Sequence, residues 1–380
     1  MTAATRPELR VTRGGDADGP VVITGGAGFI GTNLAGRLLA RGEAVTVLDN
    51  LSRPGVDRNV RGLKDRFGTL LRVEIGDVRD AATVTRVVNG ARRVVHLAAQ
   101  VAVTTSLQDP LRDFEVNALG TLNVLNALRT SAAPAPLLFT STNKVYGNLD
   151  DVPMVRNGRR YEPADTLLAN RGIDESRRLD LHSPYGCSKG AADQYVLDFA
   201  RSYGLPTTVF RMSCIYGPHQ FGTEDQGWVA HFMIQALAGR DVTLFGDGCQ
   251  VRDILYVDDL LDAVDATFDN MDAVAGCAFN IGGGPDSATS LLEVLDHIGV
   301  AIGSPPGVQA GPWRTGDQKY YVSDITRFST LTGWRPRTGV VDGLAALRTW
   351  LQHAGLPSAP DSAGRPEPAP LAAGAGGPER

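Results

Sequence analysis

Short, wholly apolar runs alternate along this chain with longer stretches in which apolar residues recur every three or four positions. Val21-Val22-Ile23-Thr24 is the first such run, and Ile30 to Arg41 carries the helical spacing. Further strands are predicted at Ala44 to Leu48, Leu71 to Ile75, Arg93 to Leu97, Leu137 to Thr140 and Thr207 to Phe210. Helices are predicted over 111–130 and 188–203. Strands that are apolar throughout, rather than alternating, are buried on both faces, as in a parallel sheet between two helix layers. The fold class is therefore α/β, a doubly wound parallel sheet. After Arg211 the pattern is less regular, with a helix at 226–239, a strand at 242–245 and a helix from Ser290 to Ile298. It predicts a smaller, interleaved C-terminal lobe.

The ends do not share this pattern. Residues 1–19 are polar and Gly-rich, and 354–380 are rich in Pro, Gly and Ala, with six Pro and five Gly in the last 26 residues. Such segments bury too little surface to offset their ordering entropy, so both are expected to be disordered. The rest is ordinary globular material: 43% hydrophobic and 21% charged over 380 residues, with a net charge of −5. A mildly acidic chain does not favour nucleic acid or an anionic membrane. No apolar run reaches the ~20 residues of a membrane span. Four cysteines without C-x-x-C spacing argue against a disulfide scaffold or a zinc site and fit a reducing cytoplasm; no metal is expected.

Gly25, Gly28 and Gly31 follow the first strand and open the first helix, in the string Gly25-Gly-Ala-Gly-Phe29-Ile30-Gly31. Glycines let the backbone approach a pyrophosphate, and the helix N-terminus then offers free N–H groups to the anion. Asp49 ends the second strand, where a carboxylate accepts hydrogen bonds from ribose hydroxyls and repels a 2′-phosphate, so NAD is favoured over NADP. Asn50, Ser52 and Arg53 follow it. Asp77 and Val78, after the third strand, are placed to meet the adenine. Leu97, Ala98 and Ala99 end the fourth strand, and the small side chains leave room for a flat cofactor. His96 is read as a packed strand residue. These residues make the sheet a Rossmann-type NAD-binding domain over 20–211 and 242–285, with a substrate lobe over 212–241 and 286–353.

Tyr185 and Lys189 form Tyr-x-x-x-Lys, one turn apart on one helix face. A lysine ammonium beside a phenol lowers its pKa from about 10. The tyrosine could then take a proton from a sugar hydroxyl near neutral pH, while Lys189 binds the nicotinamide ribose. Thr140-Ser141-Thr142 puts hydroxyls at the same sheet edge, with Thr140 beside the cofactor.

A glycine-rich dinucleotide loop followed by Tyr-x-x-x-Lys resembles the extended short-chain dehydrogenase/reductase superfamily, the NAD-dependent sugar-nucleotide epimerases and dehydratases. The resemblance covers residues 20–352. It implies that Thr142 assists Tyr185 and that Asn117 is structural. The dehydratases carry Asp-Glu after that Thr, whereas this chain has Asn143-Lys144, so elimination of water is disfavoured. The 3,5-epimerases use a Cys and a Lys; Cys187 faces away from Tyr185 on the helix, which leaves Cys214 as the thiol to watch. The strings Ser141 to Gly147, His182 to Tyr195, Asp225 to Val229 and Gln100 to Ser106 are similar to the branch that epimerises C2 of a CDP-linked 3,6-dideoxyhexose. That branch tends to have His and Met where this chain has Arg211 and Cys214, positions that the resemblance puts close to the sugar and nicotinamide.

The resemblance further implies that Arg252 and Arg314 clamp a diphosphate, for which the planar guanidinium fork is suited, and that Asp317 binds the nucleotide ribose. Gln100, Asn143, Cys214, His219, Gln220 and Trp228 are candidates near the sugar or base. The expected reaction oxidises the sugar at C2, lets the 2-keto sugar turn, and reduces its other face. Alternatives are a 4-epimerase or 4-keto reductase on a UDP-, GDP- or dTDP-sugar, and a catalytically silent NAD-sensing protein. The family also implies a homodimer or higher homo-oligomer through helices 111–130 and 188–203. The long connection 148–181 is open to reading as a lid, a partner contact or a solvated loop.

Overall fold

The structure is a computed structural model, and it describes residues 19–314 and 316–354. The expectations of disorder for the two ends fall on residues 1–18 and 355–380, outside the described residues. Seven parallel strands form the central sheet: β1 (Val21–Thr24), β2 (Val45–Asp49), β3 (Leu71–Ile75), β4 (Arg93–His96), β5 (Leu137–Thr142), β6 (Thr207–Met212) and β7 (Cys277–Ile281). Their order across the sheet is β7-β6-β5-β4-β1-β2-β3. The order in which strands are added reverses between β1 and β4, which opens a crevice at the carboxyl ends of those two strands.

β1, β5 and nearly all of β6 are buried, as their apolar composition predicts. One face packs Leu34, Ala35 and Leu38 of the first helix (Phe29–Ala40) against Leu260, Leu261 and Val264. The other packs Val84, Val87, Val124, Leu128, Val196 and Phe199. The predicted helix over 111–130 is present as Pro110–Phe114, a wider turn at Glu115–Leu119 and Gly120–Thr130. The wider turn lies at Asn117, whose side chain reaches Gln100, Asp113 and Ser188.

Several boundaries differ from those the sequence pattern predicts. The helix that carries Tyr185 and Lys189 spans Ser183–Tyr203 and so begins five residues before the predicted start. Pro184 lies in its first turn, where proline is tolerated because its missing N–H has no partner to lose. Val242–Phe245, expected in the NAD-binding domain, pairs instead with Val308–Gly311. Val251–Tyr256 pairs with Cys214–Tyr216, Ala288–Ser290 and Tyr320–Tyr321. Both stretches belong to the small lobe, whose core is built from Val229, Phe232, Met233, Ile254, Leu295, Ile298, Leu344 and Leu347. Conversely, Phe328 and Trp334 from the far end of the chain join the large core beside Phe210 and Phe279.

The connection 148–181 is ordered and docked. It holds a hairpin (Met154–Asn157 with Arg160–Pro163) and a helix (Thr166–Arg171). The Tyr161 amide donates to the Cys249 carbonyl at 2.9 Å, and Arg160 pairs with Glu293. Ile173 exchanges backbone hydrogen bonds with Val322 and Asp324, and Asn280 donates to its carbonyl at 2.7 Å. These bonds tie residues 172–175 to the body of the protein, so they form neither a free lid nor a solvated loop.

Candidate active site

The glycine turn that ends β1 is built to bring backbones together. Gly25 has φ +70, and a side chain there would meet the Ala98 amide at 2.7 Å. A Cβ on Gly31 would lie 2.5 Å from the Gly25 carbonyl. The first helix starts after Gly28, and no side chain caps its N-terminus. Its leading N–H groups are therefore available to an anion. Asp49 buttresses the turn, accepting from the Ala27 amide at 3.0 Å and the Leu51 amide at 2.9 Å. Burial raises its pKa, although those two bonds oppose the shift. A glycine cradle with an uncapped helix end and an acid at the tip of β2 fits a dinucleotide.

Around the cradle, Asn50 donates to Asp77 at 2.9 Å and accepts from the Ser52 amide. Arg79 grips the Asp77 carboxylate and holds its pKa down to about 2. Val78 is buried, while Leu97, Ala98 and Ala99 are half-buried at the end of β4. Phe29 and Ile30 lie in the first turn of the helix. His96 sits between Thr24 at 2.5 Å and Thr121 at 3.0 Å, and burial pushes its pKa down to about 3. It stays neutral around pH 7, as a packed residue should.

The fold brings Thr142 beside the helix of Tyr185 and Lys189, although it lies far from them in sequence. Thr142 ends β5; Tyr185 and Lys189 lie in the first two turns of their helix. The Thr142 hydroxyl favours the ionised form of Tyr185. Lys189 donates to the Thr140 carbonyl at 2.6 Å and lies 4.2 Å from the centre of the Phe139 ring. The Ser106 hydroxyl accepts from the Tyr185 amide at 3.2 Å. The expected electrostatics need correction. Burial pushes Tyr185 up to about 12, and the influences that oppose it come from Thr142 and Arg53. Lys189 is itself pushed down by burial to about 7. Lys189 is not among the groups that favour the phenolate, and burial outweighs Thr142 and Arg53, which are.

Beyond Thr142 lies the small lobe. Asn143 faces Gln318 at 3.5 Å and Thr142 at 3.4 Å. Arg252 donates to Asp317 at 2.7 Å, and Gln250 donates to the same carboxylate. The Trp228 indole N–H points at Cys214 Sγ, 3.3 Å away. Burial raises the Cys214 pKa. Gln220 donates to the Ile215 carbonyl, while its side-chain oxygen is buried without a partner. Arg314 stacks 3.7 Å from the Phe245 ring, donates to the Glu224 carbonyl and pairs with Asp225 at 3.6 Å. Arg53 reaches across from the cofactor side to hydrogen-bond Gln226.

The sequence similarity across these elements is extensive. Residues 21–282 match the model of the NAD dependent epimerase/dehydratase family. The chain belongs to that family. It is 41% identical over 337 residues to a CDP-paratose 2-epimerase of Salmonella typhi, covering 87% of this chain and 98% of the relative. It is 32% identical to a UDP-glucose 4-epimerase of Mycolicibacterium smegmatis, over 85% of this chain and 96% of that one. Among solved structures, the UDP-glucose 4-epimerase of Thermus thermophilus in complex with NAD superposes with a TM-score of 0.73 at 33% identity, over 88% of this chain and all of that one. The protein is thus an NAD-dependent enzyme acting on sugar nucleotides.

Some positions expected near the substrate make their contacts elsewhere in the fold. Gln100 folds onto its own loop, bonding Ala102 at 2.8 and 2.6 Å. His219 turns away: its ring lies 5.1 Å from Trp350 and its Nδ1 is 3.2 Å from Asn59. Arg211, expected close to the sugar and nicotinamide, is buried in a two-bond pair with Asp193 at 2.9 Å and also donates to Tyr146. Lys144 enters the sequence argument only as a missing carboxylate, yet the fold places it in the cleft. Its ammonium lies 4.0 Å from Asp317 and donates to the Gly316 carbonyl at 3.0 Å. Its position two residues beyond Thr142 is the signal that could have found it. The four cysteines are free, no cluster of metal ligands occurs among the described residues, and no described helix is long and apolar enough to cross a membrane.

Proposed function

We propose that the enzyme inverts C2 of a nucleotide-activated sugar, a CDP-linked 3,6-dideoxyhexose of the paratose or tyvelose kind, by oxidation and re-reduction at that carbon. The observation that carries the chemistry is the pair Asn143-Lys144 beside Thr142, where a dehydration would need a carboxylate pair. Cys214, with its pKa raised by burial, is a poor base for exchanging a proton at carbon. The choice of C2 and of the CDP-sugar rests on the 41% identity with the 2-epimerase.

In this reading Gly25, Gly28 and Gly31 hold the pyrophosphate of NAD, Asp49 its adenosine ribose, and Asp77 with Val78 its adenine. When bound, NAD supplies the hydride acceptor and donor and a positive ring beside the phenol. Tyr185 takes the proton of the C2 hydroxyl as the hydride leaves C2, and Thr142 holds the same oxygen. Lys189 fixes the catalytic helix against β5 and binds the nicotinamide ribose. Arg252 and Arg314 hold the diphosphate and Asp317 the nucleotide ribose, and the 2-keto sugar turns about its phosphate linkage before Tyr185 returns the proton.

The test is isotopic. Substrate deuterated at C2 keeps its label in ordinary water and turns over more slowly, whereas a C4 label has no effect on rate. Washing out of the C2 label, or a rate effect at C4 instead, overturns the reading. We further propose a cytoplasmic homodimer. Leu111, Phe114, Tyr195 and Tyr203 are exposed apolar groups on the helices where family resemblance puts the second copy. A monomeric mass by light scattering at micromolar concentration would exclude it.

A further inference from the structure

Lys144 is a half-buried cation that the reaction scheme above leaves without a task. It projects from the short turn Asn143–Tyr146 that follows β5, and its backbone amide donates to the Thr142 hydroxyl at 3.2 Å. Its root is therefore tied to the catalytic centre. Its tip is tied to the opposite wall, at the Gly316 carbonyl and Asp317. A small cavity opens beside it, lined by Val103, Gly147, His182, Ser183 and Gly316.

The charges around the tip do not cancel. Lys144 and Arg252 share one carboxylate, Asp317, at 4.0 and 2.7 Å. Two cations on one anion leave a net positive charge in a partly buried cleft, and only a dianion or a second anion would balance it. Lys144 stands between the hydroxyl of Thr142, where the sugar reacts, and the Arg252–Asp317 pair, where the far side of the diphosphate and the nucleotide ribose are expected. The group of a sugar nucleotide between its reacting carbon and its nucleoside is the diphosphate.

We infer that Lys144 is a substrate-positioning residue that holds the sugar-linked phosphate and so forms the pivot about which the oxidised sugar turns. The inference rests on the oxidation and re-reduction reading for the word pivot, but not for the phosphate contact. A compact ammonium on a flexible stem suits a pivot better than a bidentate guanidinium, because it can follow a phosphate oxygen without fixing the plane of the group.

The charge that does this is pH-sensitive. Burial and Arg252 push Lys144 down to about 8, while Asp317 opposes them. Arg252 and Cys214 face it from two adjoining small-lobe strands, Asp317 from the segment before Tyr320, and His182 from the start of the catalytic helix. Sugar-nucleotide affinity should therefore fall as pH rises through 8.

The experiment uses the NAD-loaded full chain, with CDP-glucose, UDP-glucose, GDP-glucose and dTDP-glucose as probes in calorimetry at pH 7.0 and 9.5. The tightest binder is compared with its own nucleoside monophosphate. Lys144→Met should weaken the sugar nucleotide about tenfold at pH 7.0 and leave the monophosphate nearly unchanged. Lys144→Arg should restore most of the affinity and abolish the fall at pH 9.5. Equal losses for both ligands, no loss in the methionine variant, or parental pH dependence in the arginine variant each overturns the assignment. So does failure of all four probes to bind the parent. Because only binding is read, an isotope result that refutes C2 chemistry leaves this outcome independent.

Discussion

The cofactor side and the substrate side of the cleft are made by different means. Around the dinucleotide cradle the work is done by backbone: Gly25 and Gly31 sit where any side chain would collide with main-chain atoms. Across the cleft, the small lobe works by side chains. Arg252, Gln250 and Asp317 hold one another, and Arg314 is anchored by Phe245, Glu224 and Asp225. Backbone geometry tolerates little change, because a misplaced carbonyl has no rotamer to adopt. A side-chain cluster can exchange members and keep its lobe. The difference teaches where specificity can vary within such a fold and where it cannot.

The largest test of the contrast removes the chemistry from between the two sides. Tyr185→Phe should lower kcat about 10³-fold, in the usual range for a lost general base, with NAD affinity unchanged in fluorescence titration. Loss of NAD binding in step with kcat would mean that the phenol belongs to the cofactor side instead.

The next test falls on stability. Arg211→Met leaves the Asp193 carboxylate, fully buried, without its cation. A broken buried pair costs about 3–5 kcal/mol. Urea unfolding should show a loss of that size, and Arg211→Met combined with Asp193→Leu should recover much of it. A KM effect with unchanged stability would return Arg211 to the sugar site. The smallest effect is expected at Cys214. Cys214→Ser keeps an acceptor for the Trp228 N–H, so steady-state kcat should stay within about threefold of the parent. A loss of several orders of magnitude would show that the thiol takes part in the chemistry.

The same contrast separates what is legible in the amino-acid sequence from what is not. The cradle is contiguous in sequence, so Gly25, Gly28 and Gly31 can be placed from local pattern alone, as can the catalytic helix with Tyr185 and Lys189. The substrate wall is assembled from segments near 144, 214, 252 and 317, and their meeting depends on strand pairings with no local signature. Val242–Phe245 reads as a strand in any sheet; only its partner Val308–Gly311 assigns it to the small lobe. Direction is equally hidden. His219 has φ +64, a backbone state that sends its ring toward Trp350 instead of into the cleft. Arg211 follows the last apolar residues of a strand, which gives no hint that its partner Asp193 lies on the catalytic helix. The balance between burial and charge at Tyr185 also requires the finished cleft, because desolvation belongs to no single residue.

The placement of Phe328 and Trp334 in the core of the large domain has a consequence for synthesis. Val21 leaves the ribosome early, but the hydrophobic layer beneath the first helix is incomplete until Trp334 has been added. At about 5–20 residues per second that interval is roughly 15–60 s. During it, Phe210 and Phe279 lack the aromatic neighbour that later seals them. A nascent chain would thus carry a finished nucleotide loop on an unfinished domain. The synthesis of the segment around Phe328 and Trp334, rather than that of the nucleotide loop, would be the step that commits the enzyme to its folded state.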